Sequence, residues 1–332
     1  MNTLKNISNL SKLYMSYIMR KETVSRLPSR VWIEPTPSCN FKCGHCPNGM
    51  DTKFPKGLMD FDLFKRIVDE LEGHVYDVNL FHRGESLIHP DLEMMVEYCT
   101  QKGMFTRLHT NAGLMTEERA VNLIDAGLSY VSFSVDGYNK DIYDKVRLGG
   151  NFDETVLNIQ NFLRAKERSG KTTPMTILQV MEIGENGVGK TTRRKVFKNK
   201  FKELPLDRFI IRTPHNWAGD ASEYGEGVAD TGQAKFTPCT FLWYSMTVFF
   251  DGTIVPCPQD FYGKLIMGDL KKQSVTEVWE GAELKEMRKR MRQCDVKGLA
   301  PCEKCDILTR KTFMGVPSDY LSTFLKDNLS LR

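Results

Sequence analysis

Residues 31–46 read Val31-Trp32-Ile33-Glu34-Pro35-Thr36-Pro37-Ser38-Cys39-Asn40-Phe41-Lys42-Cys43-Gly44-His45-Cys46. An apolar, strand-like run passes into a loop carrying three cysteines in the pattern C-x3-C-x2-C. Three thiolates this close on one loop can hold three irons of a four-iron cluster, leaving one iron without a protein ligand. An open metal position is a place for chemistry, as it is in catalytic zinc sites. A structural zinc is the competing reading. It needs a fourth local ligand, and His45, wedged between two cysteines, has little freedom to turn back. Free core cysteines are a third.

Outward from this loop the chain alternates strand-like and helix-like runs. Strands are expected at 31–36, 75–81, 105–110, 130–135, 175–183 and 208–212. Helices are expected between them at 60–71, 90–102, 116–126, 153–168 and 192–202. Asp60 can cap the first of these helices, and Gly103 and Gly127 follow the ends of two others. Six β/α units in series predict a parallel sheet, open or closed into a full or partial barrel. Its chemistry then belongs on the loops after the strands.

Before the sheet, Leu4, Ile7, Leu10, Tyr14, Tyr17 and Ile18 recur at helical spacing, interleaved with Lys5, Lys12, Arg20 and Lys21. The helix they predict over residues 1–30 either packs on the body or a dimer contact, or lies on an anionic membrane surface. After Trp217 the pattern changes. A linker rich in small and acidic residues spans 218–236 and a cysteine-bearing region 237–310, followed by a tail, 311–332. Within that region, 245–250 and 253–256 read as a hairpin around Asp251-Gly252, and a helix is expected over 275–292.

Composition narrows the classes. The 332 residues are 41% hydrophobic and 27% charged, which excludes a disordered or collagen-like chain. A net charge of +4 is too small to argue for nucleic acid. No apolar run is long enough to span a bilayer, and no cleavable leader is visible, so the expected location is the cytoplasm. Nine cysteines, an odd number without an export signal, fit metal binding better than disulfides.

With that loop and those serial units, the chain resembles the radical S-adenosylmethionine (SAM) superfamily. The resemblance implies a partial (β/α)6 TIM-like barrel. It also implies that Cys39, Cys43 and Cys46 bind a [4Fe-4S] cluster whose open iron chelates SAM. Reductive cleavage then gives a 5′-deoxyadenosyl radical that takes a hydrogen atom from substrate. A reduced flavodoxin- or ferredoxin-type donor is the partner implied.

Further signatures fall after later strands. His82-Arg83-Gly84-Glu85-Ser86 stands where the family has Gly-Gly-Glu-Pro; Gly84 and Glu85 match, and Arg83 and Ser86 depart. Thr110-Asn111-Ala112-Gly113 is similar to a SAM-contacting turn, and Ser134-Val135-Asp136-Gly137 to the family's Ser-x-Asp-Gly. The resemblance thus implies SAM contacts from Gly84, Glu85, Thr110, Asn111 and Ser134. It implies Arg147 as a partner for the SAM carboxylate and His45 near adenine. Taken singly, each also reads as a turn or cap residue.

The later cysteines, Cys239, Cys257, Cys302 and Cys305, suffice for a second four-iron cluster or for a structural zinc. Their setting resembles the SPASM/twitch extension of radical SAM enzymes, a small α+β domain, here in the shorter form with one auxiliary [4Fe-4S] cluster. Cys99 reads as a core thiol. Cys294 is a core thiol, an exchanged ligand or a hydrogen-atom donor.

Gly184-Glu185-Asn186-Gly187-Val188-Gly189-Lys190-Thr191 matches a phosphate-binding P-loop. It follows the fifth strand of a series whose other loops build the SAM site, and no strand ending in a magnesium-binding Asp follows it. A basic loop near the barrel mouth is the reading adopted, with phosphate contact at Lys190 as the alternative. His215, Asn216 and Trp217, after the sixth strand, are either pocket-lining or packing residues.

Two reaction classes fit. One is oxidation of a small sugar- or cyclitol-like substrate, as in the radical SAM dehydrogenase of butirosin biosynthesis. The other is peptide modification by thioether formation, crosslinking or epimerisation. Only about thirty residues precede the first strand. That leaves no room for the peptide-recognition domain many peptide modifiers carry, and favours the small substrate. A non-catalytic iron–sulfur or zinc protein would not need Glu85, Asn111 and Ser134 together.

Overall fold

The computed structural model describes residues 3–50, 53–185, 188–212, 217–220, 236–309, 312–313 and 316–317, with the side chains of those from 7 to 313. A leading helix, α1 (Thr3–Ile18), precedes strand β1 (Arg30–Ile33). After the short turn α2 (Pro47–Met50) the chain runs α3 (Phe61–Leu71), β2 (Asp77–Asn79), α4 (Leu92–Gln101), β3 (Phe105–Thr110), α5 (Glu117–Asp125) and β4 (Tyr130–Ser134). It continues with α6 (Lys140–Val146), α7 (Phe152–Ser169), β5 (Met175–Met181), α8 (Lys190–Asn199) and β6 (Arg208–Arg212). The C-terminal part holds α9 (Phe241–Tyr244), β7 (Ser245–Val248), β8 (Thr253–Val255), β9 (Gly268–Asp269), α10 (Val275–Trp279) and α11 (Ala282–Arg292).

One sheet holds β1 to β9 in the order β6-β5-β4-β3-β2-β1-β7-β8-β9. Its pairings from β6 through β1 to β7 are parallel, and those of β8 and β9 antiparallel. This is a partial TIM-like barrel with a small α+β extension. One difference from the sequence reading matters. Ser245–Val248, read as one arm of a hairpin, does pair antiparallel with β8, and its other edge pairs in parallel with β1, adding a seventh strand to the barrel wall. Its apolar alternation could not reveal a partner more than two hundred residues upstream. The helix expected over 275–292 is two helices, broken at Gly281.

The strands alternate faces. Val31, Ile33, Val78, Leu108, Val131, Phe133, Leu178 and Val180 point outward and are buried in the main core beneath the helices. The alternate positions line the barrel interior. Side-chain caps fix several helix starts: Asp60 accepts from Leu63 N–H, Thr116 from Arg119, Asn139 from Ile142, and Asn151 from Asp153 and Glu154. Each start sets where the preceding strand-end loop must finish.

Helix α1 buries Leu13 and Tyr17 against the body, and the Tyr17 hydroxyl donates to the Pro238 carbonyl. Trp243 Nε1 donates to Lys21 O, and Trp279 Nε1 to Arg26 O. These bonds tie the leader to the C-terminal region and agree with the packed reading. Its outer face leaves Ile7, Met15 and Ile18 exposed. Among the described residues no helix is long and apolar enough to cross a membrane.

Candidate active site

Cys39, Cys43 and Cys46 lie on the loop that leaves β1 at the C-terminal end of the parallel strands. Cys46 N–H donates to Cys43 O, which coils the loop between these two cysteines. Burial pushes the Cys39 thiol up to about 11 and the Cys43 thiol up to about 12. Metal ligation requires thiolates, so loading this site releases protons.

The loop after β2 presses against this segment. A Cβ on Gly84 would stand 2.3 Å from Ser38 O and 2.4 Å from Thr36 O, which only glycine permits. Glu85 follows, 2% exposed. Its carboxylate accepts from Thr110 Oγ1 at 2.9 Å, Asn111 N at 2.8 Å and Leu87 N at 3.2 Å. A carboxylate has about four acceptor positions, so capacity for one more donor is left. Asn111 Nδ2 in turn donates to Asn40 Oδ1 at 2.9 Å, beside Cys39. The structure therefore brings Gly84, Glu85, Thr110 and Asn111 together against the first cysteine of the loop.

Asp136 is a hub that the sequence reading passed over in favour of Ser134. It is 1% exposed and takes both Arg147 Nε at 2.8 Å and Arg147 Nη2 at 2.6 Å. His45 Nε2 lies 3.2 Å from the same oxygen. Arg147, expected to face a ligand carboxylate, thus has Asp136 as its ion-pair partner, and His45 is braced from the same side. The guanidinium is also near enough to the three thiols to lower their pKa values against burial. Ser134 is half-buried on the barrel's inner face, in register with Gln179.

Glu34 and Arg83 form a second buried pair. Arg83 donates Nε to Glu34 Oε1 at 2.7 Å and Nη2 to Oε2 at 2.6 Å, with its guanidinium 3.6 Å above the Phe249 ring. His82 Nε2 lies 2.9 Å from the carbonyl of Pro258, next to Cys257. Arg83, a departure from the family pattern, therefore joins the strand-end loops to the cysteine-bearing extension. An acid in the apolar run Val31-Trp32-Ile33-Glu34 was the only sequence sign of it.

Cys239, Cys257, Cys302 and Cys305 line one small cavity of about 20 Å³ with Ala218, Phe241, Gln259, Pro301, Ile307 and Leu308. Four convergent thiols in an apolar setting fit a fully ligated metal cluster. Gln259 Oε1 is buried there without a hydrogen-bond partner. Trp32, on the inner face of β1, packs with Phe241, Cys257 and Ile307, and Phe81 packs against the same group. The cavity and the barrel interior therefore share a wall.

The remaining expectations resolve as follows. Cys294 is exposed just past α11 and does not line the cysteine cavity. Cys99 is fully buried in the core. Trp217 stacks edge-on against Phe261 at 5.4 Å, while His215 and Asn216 lie outside the described residues. In the P-loop-like segment, Lys190 Nζ is held by Glu182 at 2.6 Å, and Glu185 accepts from Tyr138 N and Arg193. Lys190 and Glu185 are thus engaged by neighbouring residues of the same chain.

Comparison with known proteins agrees. Residues 33–183 match the radical SAM superfamily and residues 239–306 the SPASM iron–sulfur cluster-binding domain. The chain is 33% identical over 319 residues to the mycofactocin maturase MftC of Mycolicibacterium smegmatis, covering 86% of this chain and 79% of that one. It is 30% identical over 143 residues to an AdoMet-dependent heme synthase of Methanosarcina barkeri, covering 43% of this chain and 41% of that one. It is 34% identical over 121 residues to the PqqA peptide cyclase of Rhodopseudomonas palustris, covering 36% and 32%. These last two alignments thus span well under half of the relatives' length. Among solved structures, BtrN in complex with AdoMet and 2-DOIA superposes with a TM-score of 0.55 at 18% identity, over 85% of this chain and 94% of that one. SuiB of Streptococcus suis bound to S-adenosylmethionine superposes with a TM-score of 0.56 at 15% identity, over 83% and 71%. The chain belongs to the radical SAM superfamily and carries a SPASM domain, and its cofactors are SAM and two iron–sulfur clusters.

Proposed function

We propose that this radical SAM enzyme oxidises a small polar substrate, such as a carbinol of a sugar or cyclitol, to the ketone. The observation that carries the reading is the shared wall: Trp32 and Phe81 face the barrel interior and pack against the auxiliary cysteine cavity. In this reading Cys39, Cys43 and Cys46 hold the SAM-binding cluster, and Cys239, Cys257, Cys302 and Cys305 the auxiliary one. When bound, the clusters and SAM would supply one-electron chemistry: hydrogen-atom abstraction from substrate and an acceptor for its second electron.

The chain's own residues bind and orient. Glu85 has acceptor capacity for the SAM ammonium, and Thr110 and Asn111 hold that carboxylate in place. Asp136 fixes Arg147 and His45 beside the cysteine loop. With both clusters and SAM bound, oxidation of a carbinol would release a hydrogen atom, an electron and the hydroxyl proton; the cofactors would take the first two, and the proton would pass to solvent.

The test uses anaerobic, iron-loaded, reduced protein with SAM and a panel of carbon-deuterated cyclitols, sugar acids and short peptides. The reading expects deuterium in 5′-deoxyadenosine and a product two mass units lighter than the unlabelled substrate, from a small carbinol. Transfer from peptides alone would support a second reading, peptide modification. That reading is favoured by the likeness to the PqqA peptide cyclase and to SuiB, which has also been solved bound to precursor peptide SuiA.

A further inference from the structure

Apart from its four cysteines, the residues that line the auxiliary cavity are apolar with one exception, Gln259. Gln259 is 8% exposed, and its Oε1 is buried without a hydrogen-bond partner. Buried side-chain polar atoms are nearly always satisfied, so an orphan in a lined space points to a group that would bond it there. An amide is costly to bring into a space walled by Phe241, Ile307 and Leu308 unless something in that space bonds it.

The turn that carries Gln259 is fixed on both sides. Asp260 N–H donates to Cys257 O at 3.2 Å, and Phe261 N–H to Gln259 O at 3.0 Å. The Asp260 carboxylate accepts from Lys264 N and Leu265 N, both at 2.8 Å. Pro258 O lies 2.9 Å from His82 Nε2. The Gln259 N–H donates to the Cys257 sulfur, and the Phe241 and Leu242 N–H groups donate to that of Cys239. Backbone donors thus already face two of the four sulfurs, and the Gln259 side chain is the one side-chain amide among the described residues that lines the same space. A half-turn of the terminal amide brings its two N–H donors to where Oε1 stands. The sulfurs of an iron–sulfur cluster accept such bonds. Each bond favours the reduced cluster, which carries one more negative charge, and so raises the reduction potential.

We propose that the Gln259 side-chain amide donates a hydrogen bond to a sulfur of the auxiliary cluster and raises that cluster's reduction potential. Gln259 is a positioning residue in this role: it holds no iron, and the four cysteines remain the ligands. A higher potential makes the cluster a readier electron acceptor. The proposal depends on an iron–sulfur cluster in the cysteine cavity and not on the small-carbinol reading.

The test is a potentiometric titration of the anaerobic, iron-loaded full chain, followed by electron paramagnetic resonance with and without SAM. SAM perturbs the signal of the cluster with the open iron, so the signal it leaves unchanged belongs to the auxiliary cluster. Q259L removes both N–H donors. It should shift the auxiliary reduction equilibrium at least tenfold toward the oxidised state, which for one electron is a midpoint about 59 mV lower. The SAM-sensitive cluster should keep its midpoint. Q259M keeps the length of the side chain without its donors and should move the auxiliary midpoint the same way; it decides the matter if Q259L loads less iron. Q101L, on the exposed surface of α4, should move neither midpoint. Equal auxiliary midpoints in wild type, Q259L and Q259M overturn the proposal. Zinc in the cysteine cavity in place of iron, read by metal analysis, overturns the cluster premise and the proposal with it.

Discussion

The Glu34–Arg83 pair gives the sharpest stability prediction. Glu34 is fully buried, takes both nitrogens of the Arg83 fork, and also accepts from Phe250 N at 3.2 Å. Burial alone would raise its carboxyl. The hydrogen bonds and charge of Arg83 and His82 outweigh burial and bring it from 4.5 down to about 2. A displacement of that size is on the order of 3 kcal/mol. Removing one partner of a buried pair costs a similar amount, about 3–5 kcal/mol, because the other charge is left unpaired. At roughly 2 °C per kcal/mol for a domain this large, E34Q should lower the thermal midpoint by about 6–10 °C. The assay is anaerobic thermal unfolding of the iron-loaded protein. The double variant E34L/R83M, which removes both charges, should recover most of the loss. The carboxyl lies below its ordinary value in the fold, so its contribution is present above about pH 4.5 and lost as pH falls toward 2. The difference between wild type and E34Q should therefore be the same at about pH 7 and about pH 5.5. A midpoint for E34Q within a degree or two of wild type would refute the reasoning. So would a double variant less stable than either single one.

Other substitutions probe the remaining parts. Replacing Cys239, Cys257 or Cys302 by Ala should cut bound iron from about eight to about four per chain, read by colorimetric iron assay. Asp136→Ala should cost about 3–5 kcal/mol, because Arg147 is left buried and unpaired, and an unchanged thermal midpoint would contradict this. Lys190→Ala should change stability by less than about 1 kcal/mol, since Lys190 is itself partly exposed and Glu182 keeps Arg194 as a second partner, and wild type should bind no ATP in a dialysis assay. Cys294→Ser should leave iron content unchanged, because that thiol is exposed and lies outside the cysteine cavity.

Much of this was legible in the chain itself. Period-two strands, capped helices and the C-x3-C-x2-C loop are local signals, and they give the barrel and its reactive edge. Less legible was anything that depends on distant partners. The hairpin arm Ser245–Val248 pairs with β8 as its sequence suggests, but its second role as the seventh barrel strand shows only when β1 is seen beside it. Arg147 looks available for a ligand until Asp136, eleven residues earlier, is found to hold it. Lys190 looks like a phosphate-binding lysine until Glu182 is found at its tip.

The central claim is that two cysteine groups do two separable jobs. The most direct measurement is 5′-deoxyadenosine formed from SAM by reduced, reconstituted protein in two variants, Cys46→Ala and Cys302→Ala. The account predicts no 5′-deoxyadenosine from the first and continued formation by the second. Cleavage surviving Cys46→Ala, or abolished equally by Cys302→Ala, would contradict it.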